Sequence, residues 1–230
     1  MGAGFGYDIY STSNNNEYSY YRALTFVTLF ILLATFGLGV FLPFKVPVLR
    51  WFSMALPGIF VSFIIGIILM IYALYEEKLS IRLTCMALFG FLEGLAFYYT
   101  FFMTWVVVPH EILIGALITT VVYFILVSLL ALASGSHKVP ENAVTAITFV
   151  ALILAIIQLF LLFRSLSLII IIDIVIIIIF SVAFYAFYCD IIYYDIKSER
   201  WLSNTLGIFL TIIGIATSIL LILNTMYFWF

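Results

Sequence analysis

Leu168–Lys197 reads LIIIIDIVIIIIFSVAFYAFYCDIIYYDIK. Its length and apolarity suit a helix that crosses a bilayer, for which about 20 consecutive apolar residues suffice, yet it carries Asp173, Asp190 and Asp195. An ionisable group at the bilayer centre costs about 2.5–3.5 kcal/mol on insertion scales, so it faces a bundle interior or a watery cavity. At about 100° per residue, Asp190 falls in line with Ala183 and Ala186, small residues that let helices approach, and Asp190 is expected to point inward. Ser181, Tyr185, Tyr188 and Asp195 form a second stripe on the opposite side, with Asp195 beside Lys197 and Glu199 where the helix runs into water. Asp190 is therefore the first acidic candidate and Asp195 the second.

The rest of the chain has the same character. It is 67% hydrophobic and 9% charged, and helices satisfy their own backbone in lipid. The expected fold is all-α, a polytopic membrane protein with seven transmembrane helices in a single bundle. A net charge of -2, with no run of Lys or Arg, excludes a nucleic-acid partner. Cys85 and Cys189 have no CxxC spacing and read as small buried hydrophobes. Residues 1–22, with SNNNEYSYY at their centre, read as a polar, mobile cytosolic tail, and 23–230 as the membrane domain. The spans fall at about Ala23–Leu42, Ser53–Tyr75, Leu83–Met103, Ile112–Ala133, Ala143–Phe163, the stretch quoted above, and Trp201–Phe230. Pro43 and Pro47 close the first; the loop GSHKVPEN separates the fourth from the fifth. With the N-terminus cytosolic, that side holds Arg22, Lys78, Arg82, Lys138, Lys197 and Arg200, against Lys45, Arg50 and Arg164 on the other, which favours this orientation.

Glu93 lies near mid-bilayer in the third span, inside Gly90-Phe-Leu-Glu-Gly94, where GxxxG lets a neighbouring helix come close. It reads either as a group in a cation or proton path or as a carboxyl satisfied by a neighbour. In the seventh span Asn204, Gly207, Thr211, Gly214, Ser218 and Thr225 make one continuous small face. That face is either a packing seam or a lining of hydroxyls beside the sixth span. His110 and His137 stand alone in loops, and no HExxH, GxSxG or Gly-rich phosphate loop occurs, so neither an enzyme nor a cofactor is expected.

FGFLEGLAFYYTFF, then ALITTVVYFILVSLLALAS, a polar loop, and a span ending in CDIIYYDIK resemble, in order and spacing, the transmembrane Bax inhibitor motif family over about residues 22–225. The resemblance implies a seven-helix fold, a calcium-permeable cation leak, and suppression of cell death with membrane-protein partners in calcium or death signalling. It also implies residence in the endoplasmic reticulum or Golgi of a eukaryotic host, where virus-encoded members also act, or in a bacterial inner membrane. Calcium is then the permeant ion, with transient ligation at Asp190 or Asp195. The family's sixth span ends in an aromatic-Asp sequence, which Asp190 after Tyr188-Cys189 and Asp195 after Tyr194 both match. Its seventh span carries a second Asp in an aromatic-Leu-Asp-Ile-Ile sequence, where Phe209-Leu210-Thr211-Ile212-Ile213 has Thr211. If Asp190 faced Thr211, a carboxylate would meet a hydroxyl, and the shared proton of a coupled carboxylate pair would be missing. The resemblance thus leaves two readings, a calcium leak and a non-conducting regulator that acts through partners.

Overall fold

The structure is a computed structural model that describes residues 7–134, 166–193 and 201–229. Those residues form α1 (Tyr7–Phe41), a 3-10 turn (Leu42–Phe44), α2 (Pro47–Met54), α3 (Leu56–Tyr75), α4 (Leu79–Val107), α5 (His110–Ser134), α6 (Leu166–Tyr193) and α7 (Trp201–Trp229). Among the described residues six helices are long and apolar enough to cross a membrane, all but α2. The described residues form helices and short turns, and the chain is a multi-pass membrane protein. The expected span Ala143–Phe163 and Asp195 lie outside the described residues.

Residues 7–22, expected as a polar tail, are helical, because α1 begins at Tyr7 and runs unbroken into the first span. Once an apolar span nucleates a helix, each added residue gains a backbone hydrogen bond without a new nucleus, so polar residues can prolong it. The second span starts at Leu56 and not at Ser53, which belongs to the short α2. Pro57 lacks an N–H and disfavours helix in the residues before it. Ala55 is accordingly extended, at φ -83° and ψ 129°, and divides α2 from α3. Gly58 makes the fold-back possible, since a Cβ there would collide with the Phe52 carbonyl.

α1 and α4 pack in parallel through the predicted GxxxG. A Cβ at Gly90 would lie 2.5 Å from Thr35 Oγ1 and 2.8 Å from the Leu32 carbonyl oxygen, and one at Gly94 would strike the Phe36 carbonyl and lie 2.9 Å from Gly39 Cα. The backbones come close there because Gly90 and Gly94 of α4 and Gly39 of α1 carry no side chain. Phe209 of α7 joins this pair, its ring 5.8 Å from Phe89 and 5.9 Å from Phe36. The main core collects around it from α1, α4, α6 and α7, with Leu32, Met86, Phe89, Phe184, Trp201 and Phe209 buried.

Candidate functional site

Glu93 sits at the midpoint of α4, fourteen residues from Leu79 and fourteen from Val107, or about 21 Å from either end at 1.5 Å per residue. Its carboxyl turns toward α3. A Cβ added to Gly66 would meet Glu93 Oε1 at 3.2 Å and the Phe89 ring at 3.4 Å, so this glycine leaves the room that the carboxyl occupies. The buried face of α3 is Gly58, Ser62, Gly66 and Ala73, small residues spaced by whole turns. One turn from Gly66, Ser62 Oγ is buried and has no hydrogen-bond partner among the described residues. A mid-membrane carboxyl and a free hydroxyl thus lie along one narrow seam between α3 and α4. Sequence reasoning found Glu93 and missed Ser62, although Gly58-x-x-x-Ser62-x-x-x-Gly66 was there as a small-residue repeat.

The seam between α6 and α7 is filled differently. The Phe187 ring covers Gly207, where a Cβ would lie 2.5 Å from it, and the Phe180 ring covers Gly214 in the same way. Seven residues separate each member of these two pairs along its helix, which fixes an antiparallel register. One turn from the Phe187–Gly207 pair, that register sets Asp190 level with Asn204 in one direction and Ala183 level with Thr211 in the other. Asp190 and Thr211 are therefore about 10 Å apart along the axis, so the condition under which the carboxylate would meet that hydroxyl is not met by this register. The cause is the placement of the aromatic knobs, which fixes the register independently of where the acid falls.

Thr211 is buried and donates its hydroxyl to the Ile208 carbonyl at 2.8 Å. Thr205 and Thr217 likewise donate to carbonyls of their own helix, at 2.7 and 2.8 Å. Asn204 and Ser218 are buried as well. On the small face of α7, Gly207 and Gly214 pack against the rings of α6, and the Thr211 hydroxyl is answered within its own helix. On α6, Ala183 and Ala186 are buried and Asp190 is half-buried at the end of their stripe. Asp173 is fully buried nearer the other end of the helix, about 25 Å from Asp190 by helical rise. The acids are staggered through the bundle and do not converge; among the described residues no three His, Cys, Asp or Glu side chains gather.

At the Asp190 end, the turn from α3 to α4 is tied by Glu76. Its carboxylate accepts from the Lys78 N–H at 3.1 Å, the Tyr72 hydroxyl at 2.8 Å and the Glu77 N–H at 3.2 Å, and Arg82 donates to its carbonyl. The hydrogen bond from Lys78, followed by that from Tyr72, holds the Glu76 carboxyl below the usual range. Beside this turn a cleft of about 220 Å³ is lined by Tyr20, Tyr21, Glu77, Arg82 and Trp201.

A family model described as "Inhibitor of apoptosis-promoting Bax1" matches residues 10–227, nearly the whole chain and every helix described above. No curated protein matches the chain.

Proposed function

The chain belongs to the Bax inhibitor family, and we propose that it is a seven-helix, calcium-permeable leak whose charged mid-membrane group is Glu93. The observation that carries this reading is the Glu93 carboxyl in the α3–α4 seam, set against Gly66 and one turn from an unanswered hydroxyl at Ser62. A carboxylate at that depth offers a cation its one strong ligand, and glycine and serine leave space beside it. Asp190 at one end and Asp173 toward the other give acidic steps on either side of Glu93 in depth. The role of Asp195 in this path, and the crossing of residues 143–163 that brings the span count to seven, are parts of the same proposal. So are calcium release from an endomembrane store, and suppression of cell death as its consequence.

The geometry of Thr211 favours a second reading. Its hydroxyl is committed to Ile208, and the register of the two Phe–Gly pairs sets it level with Ala183. A protein whose α6–α7 seam is closed in this way can keep the fold and act on membrane partners without conducting. Purified protein in liposomes loaded with a calcium-sensitive dye separates the two. The leak reading expects calcium entry above protein-free liposomes, in proportion to protein added. No entry from correctly folded protein leaves the regulator.

A further inference from the structure

The short helix α2 has an outward apolar arc that the transmembrane bundle does not cover. Val48 is 74% and Trp51 76% exposed, and Leu56, just past the Ala55 break, is 67% exposed. The inner side of α2 packs on the bundle, with Ser53 buried. The outward arc is continuous with the face of α3 that carries Phe60, Phe63 and Ile64, all exposed large hydrophobics on a spanning helix. A surface of that kind meets lipid, and the arc that extends it meets the same lipid at its margin. Tryptophan prefers that margin, where its apolar body and polar N–H are both satisfied.

Charge points the same way. Lys45 and Arg50 are both exposed on this segment, and residues 41–75 contain no acid. The Arg50 guanidinium lies over the Phe102 ring of α4, 4.9 Å from its centroid. That contact steadies the planar cation at the edge of the bundle, and Arg50 remains exposed there. Glu111 is the acid in the first turn of neighbouring α5, and among the described residues it makes no ion pair with Arg50. A helix with aromatic and aliphatic residues outward and a fixed cation at its edge has the pattern of an interfacial helix that engages anionic lipid.

We propose that α2 lies in the headgroup region of the bilayer, with Trp51 and Val48 in the upper acyl zone, and that Arg50, steadied on Phe102 and assisted by Lys45, binds the phosphate of an acidic phospholipid. Two measurements on the full chain test it. A nitroxide on Val48→Cys, in vesicles of phosphatidylcholine with phosphatidylglycerol, should collide more with dissolved oxygen than with a water-soluble nickel chelate. The parent protein, whose two cysteines are buried, gives the labelling background. Dominance of the nickel chelate would place the arc in water, and protection from both reagents would place it against protein, such as a second copy; either result overturns the proposal. Native mass spectrometry from nanodiscs of the same two lipids should find phosphatidylglycerol retained in preference to phosphatidylcholine. Arg50→Gln should lose one retained phosphatidylglycerol per chain. Equal retention by parent and variant removes Arg50 as the ligand. If Arg50→Gln does not fold, the spin label still decides where α2 lies.

Discussion

Two seams in this bundle are built from small residues at whole-turn spacing and come to opposite ends. Between α6 and α7, Gly207 and Gly214 are filled by the rings of Phe187 and Phe180, and Thr211 bonds within its own helix. Between α3 and α4, Gly66 admits a carboxyl, and Ser62 keeps a hydroxyl with no partner among the described residues. A pattern of small residues fixes how closely two helices approach. What the partner helix inserts decides whether the space closes as a dry contact or retains polar capacity. The α6–α7 seam spends its room on aromatic packing; the α3–α4 seam keeps a carboxyl in mid-membrane.

The contrast can be broken from the packed side first. Phe187→Ala should empty the space over Gly207 and cost about 3 kcal/mol, the low end of the range for aromatics cut to alanine because Phe187 is only partly buried, read as a lower melting temperature in detergent. A change within error would mean that the rings are not what joins α6 to α7. Thr211→Asp comes next. It buries an acid opposite Ala183 in a filled seam, at about 2.5–3.5 kcal/mol, and at about 10 Å of axial offset it should not titrate as a pair with Asp190. A gain of steep pH dependence in flux that Asp190→Asn abolishes would show that the two do meet. The smallest stability effect is expected from Thr211→Val, because the hydroxyl it removes serves only the Ile208 carbonyl, which is already part of the helix ladder. Less than about 1 kcal/mol should be lost, and flux should not change. A loss of flux in Thr211→Val with intact folding would make the α6–α7 seam part of the path.

Most of the helices were legible in advance because hydrophobic length is a one-dimensional property. The stretches around Ala23–Leu42, Leu83–Met103 and Trp201–Phe230 all fall on observed helices, and Gly90 and Gly94 of the GxxxG do receive a neighbour. The N-terminal extension of α1 was not legible, since SNNNEYSYY has weak helix propensity and is helical as a continuation of the span behind it. Nor was α2, which depends on the combined stops at Pro47 and Pro57 rather than on apolar length. The level of Asp190 against Thr211 was not legible for a different reason. Helical periodicity reports the side of a helix on which a residue stands, but its level against a neighbour comes from which knob enters which hole, and Phe180 and Phe187 could not be matched to Gly214 and Gly207 from spacing alone. Glu93 could be picked out as a buried acid without knowing its partner; that it turns to Gly66 of α3 is a fact of packing.

The two seams are distinguished most directly by calcium flux through Glu93→Gln in dye-loaded liposomes, measured beside its melting temperature. The substitution keeps the size and hydrogen-bonding capacity of the side chain and removes its charge. If Glu93 is the mid-membrane ligand for the cation, flux should fall at least about tenfold, equivalent to about 1.4 kcal/mol in the barrier to passage, while the melting temperature stays at the parent value. Flux equal to that of the parent in a protein of unchanged stability would contradict the claim and leave Glu93 as a packing residue in the α3–α4 seam.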